Sequence, residues 1–399
     1  MKLSTIFTMI CLLPSVAFAA PMKPEGFKEL SIGDSAPEFT LPGTDGKEYK
    51  LSDFSESDVL MIYFTGTHCP TSHGIESRLQ KLVSDMKDKS FKVVAINPNH
   101  NDGLTPDEFS YSRYTESFES SKQYAEDLGW EFPFLYDGEK QIVARQYGVL
   151  ATPHIFIFDK DRKLQYQGRF DDSRYKDPST VTKPDARNAV EAMLEGKPVS
   201  VAVTKPFGCS TKWREKKESV MADEKRWAET KATIEEIDSA GIKALRSNGT
   251  NKVRLFNVWS TDCVPCVKEL PDVAKILRRY SRRDLEVITI SLDDPSNKAR
   301  AEEVLGKKGV VIGGKIGASL KKQGRKTNNY LFNEASIDAL TGALDEKWSG
   351  ATPYTVMVNT EGEVIYRHEG IFDVKELDAA VLAELTEYWD GPQKKKSAK

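Results

Sequence analysis

Two cysteines with two residues between them, Cys263-Val264-Pro265-Cys266, carry the clearest chemical signal in this chain. They follow an apolar run, Val253 to Trp259, that reads as a buried strand. They open a segment in which Val267, Leu270, Val273, Ala274 and Leu277 share one helical face. A helix N-terminus is positive and stabilises a thiolate, the form that attacks a disulfide. Zinc is the alternative for such a pair, but structural zinc asks for a second ligand pair, and no second CxxC exists. Redox chemistry is therefore the expectation.

Stepping out from that pair, the chain shows one plan twice. In the first copy, Val59 to Phe64 reads as a buried strand, Cys69 follows, and Ile75, Leu79, Leu82 and Met86 form a helical face. Phe91 to Ile96 is the next strand, and Thr152-Pro153 leads into a strand from His154 to Phe158. In the second copy, the Cys263 helix is followed by a strand from Leu285 to Ile290, and Thr352-Pro353 leads into one from Tyr354 to Val358. Cysteine and proline lie 84 residues apart in the first copy and 90 in the second. Strand–helix–strand units imply parallel crossovers, and the late hairpins add antiparallel strands. The fold class expected is α/β: two tandem folds, each a mixed central sheet flanked by helices.

The bulk numbers fit a globular protein of 399 residues, 39% hydrophobic and 29% charged. A formal net charge of −3 gives no electrostatic case for nucleic acid. Residues 1–19 read as a cleavable export signal: Lys2, an apolar run from Ile6 to Phe18, and Ala17-Phe18-Ala19 before a cut ahead of Ala20. The run is too short to span a bilayer. The expected location is periplasmic or secreted. Cutting there removes Cys11 and leaves Cys69, Cys209, Cys263 and Cys266. Four cysteines are too few for a disulfide scaffold of this size, which again favours redox work.

Strand, CxxC helix and a later Thr-Pro strand resemble the thioredoxin superfamily. That resemblance implies a cis proline, at Pro153 and at Pro353, beside the first cysteine of each copy. Cys263-Val264-Pro265-Cys266-Val267-Lys268-Glu269-Leu270-Pro271 is similar to exported thiol-disulfide reductases of the TlpA/ResA type. In that family the glutamate matched by Glu269 tunes the cysteine pair, and Asn257 fills a buried position. The first copy resembles the redoxin or peroxiredoxin-like (AhpC/TSA-type) group, through Ala36-Pro37-Glu38-Phe39 and Phe207-Gly208-Cys209-Ser210-Thr211-Lys212-Trp213. It departs from the peroxidase motif: Gly66 stands where Thr or Ser is expected, and Ile62 where Pro is expected. Ser72 replaces the second cysteine of a CxxC.

The resemblance implies an attacking Cys263, exposed, with Cys266 buried behind it to resolve the mixed disulfide. It implies a second, atypical centre at Cys69, joined reversibly to Cys209. Two alternatives stay open. One is a thiol peroxidase in which the second copy reduces Cys69. The other is a copper-handling or redox-sensing protein without turnover, because His68, His73 and His154 belong to segments that should approach Cys69. No cofactor or metal is assigned. Expected partners are protein disulfide substrates and a membrane electron donor. The expected division is a domain at 20–212, a charged helical linker at 213–246, a domain at 247–391 and a basic tail at 392–399. Within the second domain an inserted helical element is expected at 296–347. Arg169 with Asp171 and Asp172 reads as a cluster that orients the Cys69 loop.

Overall fold

In the computed structural model, which describes residues 23–385, two α/β domains each surround one mixed sheet. The export signal and the basic tail lie outside the described residues.

Domain one opens with a short hairpin, β1 (Thr40–Pro42) and β2 (Glu48–Lys50). It continues through β3 (Val59–Phe64), α1 (Pro70–Asp85), β4 (Phe91–Asn97), α2 (Phe118–Leu128), β5 (Phe134–Tyr136) and α3 (Ile142–Tyr147). The last part comprises β6 (Ala151–Thr152), β7 (His154–Phe158), β8 (Leu164–Gly168), α4 (Asp185–Leu194) and β9 (Cys209–Ser210). The sheet order is β5-β4-β3-β7-β8. Strands β3, β4 and β5 run parallel, while β7 is antiparallel to both β3 and β8. The unbroken apolar run of β3 follows from burial on both faces. Leu60, Ile62 and Phe64 enter one core layer; Val59, Met61 and Tyr63 enter the other. The α1 face of Ile75, Leu79 and Leu82 packs on that second layer, each side chain contributing about 2 kcal/mol by burial.

Domain two comprises α5 (Lys217–Glu229), β10 (Glu235–Ile237), α6 (Ser239–Arg246), β11 (Val253–Trp259), α7 (Val264–Arg279), β12 (Leu285–Ser291), α8 (Lys298–Lys308), α9 (Gly314–Lys322), β13 (Asn329–Phe332), α10 (Ile337–Leu344), β14 (Tyr354–Val358), β15 (Val364–Glu369) and α11 (Val374–Leu385). Its sheet order is β10-β13-β12-β11-β14-β15. Val253, Leu255 and Trp259 pack under Leu270, Val273 and Leu277 of α7, while Phe256 and Val258 face the opposite layer.

Three expectations need correction. The stretch 213–246 is not a helical linker throughout. Trp213 is buried in the core of domain one, and β10 is an edge strand of the second sheet. Glu235-Glu236-Ile237 is too short and too acidic to read as a strand; parallel pairing with β13 makes it one. The insertion at 296–347 is helical at α8, α9 and α10 but also carries β13, which pairs with β12. Arg169 pairs with Asp185 (2.7 Å) and Asp171 with Arg78 of α1 (2.6 Å), so that cluster divides between two helices.

The domains meet where α7 crosses residues 106–112. The Arg279 guanidinium donates to the carbonyls of Phe109 (3.2 Å) and Ser112, and Arg283 to that of Ser110 (2.6 Å). Helix α5 bridges them, with Lys217 on Asp102 (2.8 Å) and Asp223 on Arg278 (3.0 Å). Among the described residues, no helix is long and apolar enough to cross a membrane.

Candidate active site

In domain two, β11 hands over to α7 through a turn fixed by Thr261, whose hydroxyl donates to Asp293 (2.6 Å). Cys263 then caps α7, its Sγ accepting from the amide of Cys266 (3.3 Å). Pro265 fits that first turn because the amide it lacks would have no intrahelical partner. Cys263 and Cys266 are joined in a disulfide. The Thr352 hydroxyl donates to Cys263 Sγ at 3.5 Å, and the Thr352–Pro353 peptide is cis. Cys263 is half-buried, Val264 is 78% exposed, and Cys266 lies in the core at 1%. An attacking group therefore meets Cys263 first.

Glu269, three residues beyond Cys266, is buried. Its carboxylate accepts from Asn257 Nδ2 (2.8 Å) and from the amide of Phe372 (2.9 Å). Burial pushes its pKa up to about 7. A carboxyl titrating there can take or give a proton near neutrality. Pro271 stands inside α7 two residues later.

In domain one, Cys69 caps α1, with Pro70 at the first helical position. It is 0% exposed. As a thiol it donates to the carbonyl of Thr152 (2.9 Å), the residue before the cis Pro153 peptide. Strand β9 runs antiparallel to β6, placing Cys209 opposite Thr152 and Ser210 opposite Ala151. The Cys209 side chain is within hydrogen-bond reach of Cys69. The structure thus brings together two cysteines that lie far apart in sequence, both as free thiols.

Behind Cys69 lies a buried ion pair. His68 Nδ1 contacts the Glu116 carboxylate, and both side chains are sealed from solvent. Glu116 also accepts from the His68 amide (2.8 Å) and from Asn97 Nδ2 (2.7 Å). Burial pushes the Cys69 thiol up, but the hydrogen bond from Cys209 and the charge on His68 outweigh it, leaving Cys69 well below the ordinary thiol range. The hydrogen bond to Cys69, with burial, holds Cys209 well above it. The two thiols are thus shifted in opposite directions, Cys69 down and Cys209 up.

Gly66 marks the missing peroxidase hydroxyl. A Cβ there would lie 2.4 Å from Asn99 Nδ2 and 3.0 Å from Glu116 Oε1, so the buried polar cluster fills that space. Of the three histidines near Cys69, His68 and His73 are each held through one ring nitrogen, while His68 Nε2 and His154 Nδ1 are buried without a hydrogen bond. His68 is held by Glu116, and His73 Nε2 contacts the Thr67 carbonyl (2.9 Å). His154 packs on Phe156, and burial pushes it down to about 3. Among the described residues, no group of three or more His, Cys, Asp or Glu is arranged to hold a metal ion. Glu116, Asn97 and Asn99 were missed by sequence reasoning. Glu116 is 48 residues from His68, in an irregular stretch with no periodicity or motif to single it out.

Each domain thus sets a cysteine at a helix start, beside a cis Thr-Pro peptide, over a mixed sheet. This defines a tandem of thioredoxin-like folds. Residues 32–167 match the AhpC/TSA family profile and residues 234–381 the Redoxin profile; the latter begins beside β10. The thiol-disulfide oxidoreductase ResA of Bacillus thuringiensis is 25% identical over 137 residues, covering 34% of this chain and 69% of that protein. ResA of Geobacillus thermodenitrificans is 25% identical over 161 residues, covering 40% and 82%. The crystal structure of a hypothetical protein from Sinorhizobium meliloti 1021 is 34% identical, covering 47% of this chain and 96% of that one, with a TM-score of 0.42. The chain belongs to the thioredoxin superfamily, as two redoxin-type domains in tandem. It is an oxidoreductase, and its general chemistry is thiol-disulfide exchange.

Proposed function

We propose that this chain is an exported enzyme that exchanges disulfides with protein substrates through Cys263 and Cys266, and that Cys69 and Cys209 form a second redox pair. The observation that carries the reading is the bonded cysteine pair at the start of α7, with Cys263 reachable beside Thr352-Pro353 and Cys266 buried. In the reduced enzyme the Cys263 thiolate attacks one sulfur of a substrate disulfide. A mixed disulfide forms, and the other substrate sulfur leaves as a thiolate. Cys266 then attacks Cys263 Sγ, releasing the second substrate sulfur and closing the Cys263–Cys266 bond. Glu269 takes the proton from Cys266 as it becomes a nucleophile. The substrate ends as a dithiol and the enzyme as a disulfide, so each cycle needs two electrons. The pattern at residues 1–19 supports export. Outside the cytosol that reductant arrives through the membrane, which implies a membrane electron donor. The decisive test is insulin reduction by Cys263→Ser. Activity should vanish; a normal rate would remove the reading.

A thiol peroxidase centred on Cys69 is the second reading. It is favoured by a low-lying thiol with a second thiol against it. The glycine at position 66 and the complete burial of Cys69 weigh against it. Peroxide consumption lost in Cys69→Ser would support it.

A further inference from the structure

We infer that residues 207–212 are a substrate segment built into the chain: they occupy the peptide-pairing edge of domain one, and the Cys69–Cys209 bond they allow is opened by attack on Cys209, with the Cys263–Cys266 dithiol as the attacking pair. The inference rests on the proposed pairing of Cys69 with Cys209.

An extended peptide binds an open strand edge through its backbone. In domain one that edge is already filled. Strand β9 pairs with Ala151 and Thr152, the residues just before cis Pro153. The Thr211 hydroxyl donates to the Val149 carbonyl at 2.8 Å, extending the seat. Gly208 makes the approach possible: its φ is +144°, and a Cβ would lie 2.1 Å from the Thr152 carbonyl oxygen. The segment is then tied down. The Lys212 amide donates to Asn99 Oδ1 (2.9 Å), its carbonyl accepts from Gln141 (2.9 Å), and Trp213 is buried. In domain two the matching residues, Ala351 and Thr352, belong to no strand ladder, and Ala351 is exposed. Domain two has no strand there, and the Ala351 carbonyl and amide are taken up by Trp348 Nε1 (2.7 Å) and Ser349 Oγ (3.3 Å); domain one carries its own occupant.

The two sulfurs of domain one are not equivalent. Cys69 is sealed, whereas Cys209 is part-exposed. Lys216, whose Nζ reaches the Ser210 hydroxyl at 3.2 Å, places a positive charge near the approach to Cys209. Chemistry agrees with access, because the thiol with the lower pKa leaves faster, and that thiol is Cys69. The Cys263 thiolate attacks Cys209 Sγ. The Cys69–Cys209 bond breaks, Cys69 leaves as thiolate, and a Cys263–Cys209 bond forms. Cys266 then attacks Cys263 Sγ, and Cys209 leaves as thiolate and takes up a proton. Domain one is reduced by two electrons and domain two is oxidised by two.

The test uses the full chain carrying Cys266→Ser, which cannot complete the second step. It is oxidised with limiting diamide, held at neutral pH, quenched in acid and mapped by mass spectrometry without reduction. A Cys263–Cys209 link is expected, with Cys69 free. A Cys263–Cys69 link overturns the inference, as does a stable Cys69–Cys209 bond with no link to Cys263. If the wild-type chain never forms Cys69–Cys209, the underlying pairing has failed, and the inference falls for that distinguishable reason. A second measurement addresses the seat itself. Gly208→Ala, with folding checked by circular dichroism, should speed alkylation of Cys69 by about tenfold or more, as local opening becomes easier. An unchanged rate overturns the plugging role of this segment.

Discussion

His68 and Glu116 form an ion pair from which solvent is excluded on both sides, directly before the cysteine that caps α1. A buried carboxylate that loses its partner is costly, and so is the partner left behind. The His68 side chain held in this contact is one of the influences that lower the Cys69 thiol. Glu116→Gln should therefore raise the pH at which the Cys69 thiolate forms, by roughly one unit. Thiolate ultraviolet absorbance in a Cys263→Ser/Cys266→Ser background measures this. Glu116→Asp should restore part of the shift, which a purely structural role for Glu116 would not produce. An unmoved titration in Glu116→Gln would show that His68 does not act on the sulfur.

Glu269 supplies a prediction with a definite sign. Its folded pKa of about 7 lies above the ordinary value of 4.5. The folded state binds the extra proton, so the contribution to stability is fully present below about pH 4.5 and is lost as pH rises toward 7. The gap corresponds to on the order of 3 kcal/mol. In Glu269→Gln, domain two should lose this decline between acid and neutral pH. Urea midpoints at several pH values measure it. The rate of disulfide reduction should lose its inflection near neutrality in the same variant. If both profiles stay as in the wild type, Glu269 does not titrate in this range.

Much of this arrangement was readable from residue patterns, for identifiable reasons. The strands β3 and β11 are continuous apolar runs because both faces are covered, and α1 and α7 show a helical stripe because only one face is. Cys263, Cys266 and the two cis prolines stand at positions that short motifs mark. Short polar strands were not readable: β10 and β9 exist only because a neighbour supplies the ladder. The contact of Cys69 with Cys209 depends on that same ladder. Glu116 was invisible because a buried carboxylate in an irregular loop differs in no local way from an exposed one. Arg169 and Asp171 misled because each pairs with a helix, Asp185 of α4 and Arg78 of α1, and not with the other.

The contact between the domains rests on arginines donating to main-chain carbonyls. Arg279 and Arg283 reach Phe109, Ser112 and Ser110. Hydrogen bonds from charged donors contribute about 1.5–3 kcal/mol each. The double variant Arg279→Ala/Arg283→Ala should uncouple the domains. Calorimetry should then resolve two thermal transitions in place of a shared one, and protease should cut α5 faster. A single transition in the variant would mean that other contacts, such as α5 itself, hold the domains together.

Gly66 offers the sharpest separation of the two enzymatic readings. A peroxidase hydroxyl at this position needs a Cβ, yet that atom would meet Asn99 Nδ2 at 2.4 Å and Glu116 Oε1 at 3.0 Å. Asn99 is held in place, because its Oδ1 accepts from the Lys212 amide (2.9 Å) and its backbone N–H donates to Asn97 Oδ1 (3.0 Å). Overpacking of a filled site costs about 1–3 kcal/mol. Gly66→Thr should therefore lower the urea midpoint of domain one and leave peroxide turnover no higher than in the wild type. The added side chain would enter a space already occupied by Asn99 and by the Glu116 carboxylate that contacts His68. A Gly66→Thr protein of normal stability that consumes peroxide faster would show that the cluster yields, and that domain one lies one substitution from a peroxidase.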